Sequence, residues 1–220
     1  MATSVSIEAA TKKQRECTAW FLHRKGRITA SMFKDVCRSK QLKCASLIDK
    51  ILNSKPIFSP AIQYGIEFEE LAKARALAAF KAQHINGRLD DCGLMILPKY
   101  PYLGCSPDGL FYCDCHAPAL LEVKCLYTLR DVHPNDLVKA GQAKPDFCLD
   151  ATGTLKLTHK YYYQVQAQLH LNLVGSTMCY LYLHVDKGGM MIGVEKEEAF
   201  MDTHISALES FFINIVLPRL

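Results

Sequence analysis

The stretch from Leu103 to Cys125 constrains this chain more than any other. It reads Leu-Gly-Cys-Ser-Pro-Asp-Gly-Leu-Phe-Tyr-Cys, a short break, then Leu-Leu-Glu-Val-Lys-Cys. The pattern predicts two strands joined by a loop, with Asp108 opening the first and the second running from about Ala119 to Cys125. Successive strand side chains alternate between faces, so Leu121, Val123 and Cys125 share one side and Glu122 and Lys124 share the other. A Glu and a Lys within an apolar run need partners, because burying an unpaired charge is costly. Hairpin pairing brings Asp108 beside Glu122, and two carboxylates that close repel unless a cation lies between them. Oxygen ligands of this kind suit Mg²⁺ or Mn²⁺. Lys124 then stands next to a water on the metal, the arrangement of a site that hydrolyses phosphodiesters.

The 220 residues are enough for one domain with a sizeable core, and half of them are hydrophobic, as in a globular chain. No apolar run approaches the ~18 residues of a membrane span. The opening Met-Ala-Thr-Ser-Val-Ser lacks the basic-then-apolar form of a signal peptide. Ten cysteines without such a signal are expected to be reduced thiols, which implies an intracellular protein. Charge is unevenly placed. From Lys12 to Lys55 there are twelve Lys or Arg against three Asp or Glu, leaving the remainder acidic by five. That asymmetry fits an N-terminal surface meeting phosphates and an acidic site elsewhere holding metal; a solvated helical face fits it equally well.

Periodicity predicts a helix over 5–22 with Ala9, Cys17, Trp20 and Phe21 inward, then a basic turn at 23–27 broken by Gly26. A second short helix capped by Thr29 or Ser31 runs through Arg38, and a third spans about 44–53. Ser59-Pro60 starts a long helix to about Gln83, with Ile62, Ile66, Leu71, Ala74 and Leu77 inward. After a turn at Asn86-Gly87, strands are expected at 92–97 and 102–106, followed by the two central strands. A short helix within 133–141, a loop or weak hairpin around Thr152-Gly153, and a helix over 161–173 come next. Strands 177–185 and 190–195 form a hairpin through Asp186-Lys187-Gly188-Gly189. An amphipathic helix over 197–216 closes the chain. This order indicates an α/β fold, a mixed central sheet flanked by helices.

Other candidate residues gather around the same chemistry. Glu69 lies one turn beyond Gly65, where the missing side chain leaves room for close approach, and offers a further carboxylate from across the sheet. The plainer reading is a surface Glu69–Lys73 pair at i,i+4. Glu67 and Glu70 face elsewhere and read as solvated. Gln164 and Gln168 share a helix face; an amide can orient a water by donating and accepting, although ordinary polar positions explain the pattern as well. Cys113-Asp-Cys115-His116 invites a zinc reading, but zinc usually takes four ligands and no second pair is evident, so these residues read as a hairpin loop. A second Pro-Asp, at 145–146, sits in a polar loop without a partner strand.

Together these pieces resemble the PD-(D/E)xK nuclease superfamily, and within it the lambda exonuclease or YqaJ viral recombinase group. Trp20-x3-Arg24-x6-Ser31, containing Arg27-Ile-Thr-Ala-Ser31, is similar to the family's N-terminal signature. Gly65-x3-Glu69, Leu103-Gly-Cys-Ser-Pro-Asp108-Gly, Leu121-Glu122-Val-Lys124-Cys and Tyr161-x2-Gln164-Val-Gln resemble its remaining motifs in their family order. The similarity covers roughly residues 15–185. It implies a restriction-endonuclease-like core and a Mg²⁺-dependent exonuclease acting 5′ to 3′ on duplex DNA ends, with Mn²⁺ as a substitute. In that reading Glu69, Asp108, Glu122 and the carbonyl of Val123 bind metal, Lys124 and Gln164 position or activate water, and Arg24 and Ser31, in a basic segment that includes Arg27, hold a 5′-phosphate. The resemblance leaves room for a single-strand annealing or recombinase partner. Rival readings are a related endonuclease or RNase, and a non-catalytic DNA-binding recombination protein. Intact Asp108, Glu122 and Lys124 argue against the last.

Overall fold

A computed structural model describes residues 3–39, 44–53 and 58–220. Three lysines of the basic segment, Lys40, Lys43 and Lys55, lie outside these residues. The expected N-terminal helix is divided into α1 (Ser4–Ala10), one 3₁₀ turn and α2 (Thr18–Arg24). Gln14 causes the division: its φ of +42° takes it out of the helical region. The next predicted helix shrinks to a 3₁₀ turn at Ala30–Met32 and a five-residue α3 (Phe33–Cys37), after the two-residue strand β1 (Ile28–Thr29). Neither Thr29 nor Ser31 caps it; their hydroxyls lie 3.3 Å apart instead. α4 (Ala45–Asn53) is where its apolar spacing puts it.

α5 (Pro60–Lys81) begins as expected: the Ser59 hydroxyl accepts from the Ile62 N–H and Pro60 fills the first turn. Its buried face differs from the expectation. Tyr64, Ala72, Ala76 and Phe80 are buried at i,i+4 steps, while Ile62, Ile66 and Leu71 are 40–49% exposed. Two alanines with no exposed surface let the helix lie close on the sheet, and Phe80 stacks on Phe111 with centroids 4.2 Å apart.

The Asn86-Gly87 turn leads into β2 (Arg88–Asp90). No strand forms at 92–97; a single bridge pairs Met95 with Cys105, and β3 (Leu103–Gly104) pairs in parallel with β1. β4 (Gly109–Tyr112) and β5 (Ala119–Cys125) form the anticipated hairpin, with Gly109 opposite Leu121. The chain then passes through α6 (Leu137–Gly141) and α7 (Lys160–Leu171) and returns as β6 (Met178–Val185), parallel to β5. β7 (Gly188–Glu195) pairs back on β6, and α8 (Phe200–Phe211) is followed by a π-helical turn and a final 3₁₀ turn.

The main sheet is five-stranded and mixed, in the order β2-β4-β5-β6-β7. Alternation along β5 divides the core. Leu120 packs with residues of α3, α4, α7 and α8, whereas Leu121 and Val123 pack with Ala72, Ala76 and Phe80 of α5. Glu122 and Lys124 therefore point to the α7 side, and α5 covers the other. Among the described residues no helix is long and apolar enough to cross a membrane.

Candidate active site

Asp108 immediately precedes β4, and its N–H donates to the Leu121 carbonyl at 2.9 Å, which places its side chain opposite the Glu122–Val123 peptide. The Val123 N–H donates to Asp108 Oδ2 at 2.7 Å. Glu122, 2% exposed, is met from two sides: Oε1 accepts from Lys124 Nζ and Gln164 Nε2, each at 2.5 Å, and Oε2 from Gln168 Nε2 at 2.6 Å. The two amides sit one helical turn apart on α7, so the parallel crossover sets both above a single carboxylate. The contribution of Gln168 was visible in the sequence only as a shared face with Gln164. The side-chain oxygen Oε1 of Gln168 is buried without a partner.

Burial, followed by the charge of Glu122, pushes the Asp108 carboxyl well above its usual range; Glu69 adds to this, while Lys124 and the Val123 N–H oppose it. Burial also acts to lower the Lys124 ammonium, yet Glu122, with Tyr161 and Asp108, more than offsets it, so Lys124 is held above its ordinary value as a cation. Its Nζ lies 5.1 Å from the Tyr161 ring centroid. This donor set suits a hard cation: carboxylates crowded in one place, one of them raised by burial and by the charges of the others, and no soft ligand among them.

Asp108 and Glu69 line one cleft of about 470 Å³, together with Glu70, Asp91, Lys12, Lys13, Gln14, Arg15, Trp20 and Lys73. Glu69 is salt-bridged to Arg15 at 3.4 Å and to Lys73 at 3.6 Å, so the expected i,i+4 pair exists and still leaves the carboxylate on the cleft wall. Gly65 is not where α5 makes its close approach, because a Cβ there would meet nothing within 4 Å. The Gln14 amide donates to the carbonyls of Cys92 and Pro107, both at 2.8 Å. The residue that interrupts the N-terminal helix thus braces the Pro-Asp turn.

The basic segment divides. The Arg24 guanidinium lies 3.7 Å over the ring of Trp20, and burial lowers its pKa to about 10. Trp20 donates from Nε1 to Ser106 Oγ at 3.0 Å and reaches the cleft, so Arg24 stands at its margin. Arg27 is elsewhere: its guanidinium donates to the carbonyls of Pro101 and His23, in a separate pocket with Tyr102, Phe212 and Leu220. Ser31 is exposed, and α3 is too short to add much dipole.

A family model for the YqaJ-like viral recombinase domain matches residues 19–177. An alkaline exonuclease from Laribacter hongkongensis superposes with a TM-score of 0.64 at 25% identity, covering 91% of this chain and 92% of that one. A SOX protein solved with DNA gives 0.63 at 15% identity over 96% and 70%, and the KSHV SOX protein solved with RNA gives 0.63 at 14% over 97% and 75%. No match to a curated protein was found. The fold is that of the PD-(D/E)xK exonucleases, a mixed sheet with helices on both faces.

Proposed function

Because the chain belongs to the YqaJ-like viral recombinase domain family, whose fold it shares with alkaline exonucleases, we propose that it is a Mg²⁺-dependent exonuclease acting on duplex DNA ends. The observation that carries this reading is Asp108, set across the hairpin from Glu122 and bonded to the Val123 N–H, at the wall of a cleft that also holds Glu69. Glu69, Asp108, Glu122 and the carbonyl of Val123 would hold the metal, and Mn²⁺ would replace it. When bound, Mg²⁺ lowers the pKa of water and neutralises the departing oxygen.

The chain's own residues do the remaining work. The Lys124 ammonium, fixed by Glu122, places a positive charge where the phosphate gains negative charge in the transition state. Gln164 and Gln168 keep Glu122 in one rotamer, and Gln164 is only partly buried, able to orient a water. Arg24, stacked and partly desolvated, grips a terminal 5′-phosphate with paired hydrogen bonds, joined by the Ser31 hydroxyl. A 5′-phosphate pocket gives cleavage a 5′-to-3′ direction. Arg27, held by backbone carbonyls in another pocket, has no part in this.

End-labelled linear duplex and closed circular plasmid, each with Mg²⁺ and with EDTA, test the proposal. Linear DNA is consumed only with Mg²⁺ and closed circles persist; nicking of circles would replace the exonuclease reading with an endonuclease. A single-stranded RNA substrate in the same assay tests the second reading, which the RNA-bound KSHV SOX neighbour favours.

A further inference from the structure

Far along α5 from Glu69, four side chains converge that the proposed hydrolysis does not use. His84 lies three residues past the end of α5, and Cys113, Cys115 and His116 lie in the loop joining β4 to β5. Their ligand atoms all fall within 4.8 Å of one another. The two Nδ1 atoms are 3.2 Å apart and the two Sγ atoms 3.5 Å apart. The four sulfur–nitrogen separations are 3.2, 3.5, 3.5 and 4.0 Å.

Those six distances have the size of the edges of a tetrahedron. With Zn–S near 2.3 Å and Zn–N near 2.0–2.1 Å, a tetrahedral Cys₂His₂ site has edges of about 3.3 Å between nitrogens, about 3.5 Å between nitrogen and sulfur and about 3.8 Å between sulfurs. A disulfide is a poorer explanation, because it needs the sulfurs about 2.05 Å apart and gives no reason for two imidazoles to face them. The surroundings also resemble those of metal-binding imidazoles. His84 Nε2 lies 3.5 Å from the Tyr180 hydroxyl, a partner for the nitrogen turned away from the cluster, and its ring stacks on Phe80 with centroids 3.9 Å apart. Two further bonds hold the segments together without a metal: Asp114 N–H to the Ile85 carbonyl at 3.0 Å, and Asn86 Nδ2 to Asp114 Oδ2 at 2.6 Å.

We propose that His84, Cys113, Cys115 and His116 form a structural Zn²⁺ site that fastens the end of α5 to the β4–β5 hairpin. The sequence reading as a hairpin loop missed it because the fourth ligand comes from 29 residues upstream of Cys113. All four positions are filled by protein, so the site has no open place for water or substrate and would not catalyse. Binding releases the thiol protons and joins the end of the helix that carries Glu69 to the hairpin that carries Glu122 and follows Asp108. The proposal stands independently of the reaction in the cleft.

Metal analysis of the whole chain, purified without chelator and dialysed, tests it. About one zinc per chain is expected, and the same amount in Asp108→Asn, which separates this site from the carboxylate cleft. Cys115→Ser loses the zinc. If that variant does not fold, X-ray absorption on the wild-type protein decides: a shell of two sulfurs and two nitrogens supports the site, and an oxygen and nitrogen shell overturns it. Co²⁺ exchanged into the wild type is expected to give tetrahedral visible bands with a thiolate charge-transfer band. A wild-type protein that retains no zinc after incubation with ZnCl₂, or a Cys115→Ser protein that keeps it, refutes the proposal.

Discussion

The two paired carboxylates respond in opposite ways to removal, and that contrast tests the electrostatics of the cleft without any nuclease assay. Asp108→Asn keeps the side chain's size and an acceptor for the Val123 N–H at 2.7 Å, while deleting a carboxyl that burial and Glu122 push well above its usual range. A carboxyl raised in the folded state keeps a proton that the unfolded chain has released. Its contribution to stability is therefore complete below about pH 4 and is lost as pH rises toward the folded value. Across that window the wild type loses about 1.4 kcal/mol per pH unit relative to the Asn variant, or about 3–5 °C in a chain of this size. Glu122→Ala acts the other way. It leaves the Lys124 ammonium, with 21% side-chain exposure, and two amides without their acceptor. Breaking a buried pair costs about 3–5 kcal/mol, with the low end applying here because Lys124 keeps some water; the melting point falls by about 6–12 °C. Thermal melts in EDTA from acid to neutral pH measure both. At neutral pH Asp108→Asn melts above the wild type and the gap closes on acidification, whereas Glu122→Ala melts below it. Adding Mg²⁺ raises the wild type but not Asp108→Asn. An Asp108→Asn protein that melts below the wild type in EDTA, or a gap that widens on acidification, refutes the reasoning.

Three further outcomes are expected. Lys124→Ala lowers the single-turnover cleavage rate by about 10²-fold, the order of a lost transition-state donor, and Gln164→Ala lowers it less because an amide supplies no charge; the reverse ranking removes the roles assigned to them. Arg24→Ala erases the preference for 5′-phosphorylated over 5′-hydroxyl duplex, a loss of about 10- to 100-fold for a charge-assisted pair. If both ends slow equally and mainly the salt dependence flattens, Arg24 is a general backbone contact. Gly93→Ala destabilises by about 3 kcal/mol or more, because the new Cβ would lie 1.9 Å from the Glu8 carbonyl oxygen and backbone does not yield readily; an unchanged melting point would show that α1 shifts freely.

Local geometry was legible in the sequence, and contacts between distant segments were not. Asp108 opposite Glu122 follows from alternation on one hairpin, and Ser59-Pro60 marks the start of α5 through a cap that acts within three residues. The face α5 buries is different. Alanines, isoleucines, leucines and aromatics occur all around that helix, so period alone does not choose the stripe through Ala72 and Ala76. The break at Gln14 was hidden for a related reason: its side chain bonds 78 and 93 residues away, at Cys92 and Pro107. His84 carried no local signal either, since its place beside Cys113 depends on where a 22-residue helix ends.

The crossover that sets α7 over β5 also decides when this centre can exist during folding. Glu122 meets its amide donors 42 and 46 residues later in the chain, and β5 gains its parallel neighbour only once β6 has been made. Contacts this distant close slowly, because loop entropy is lost before they form. On a ribosome the β4–β5 hairpin emerges first, with Glu122 bare of α7. The proposed catalytic centre is therefore completed late, after most of the polypeptide has been synthesised, and recovery of the proposed cleavage after refolding would time the last closures of the chain rather than its first.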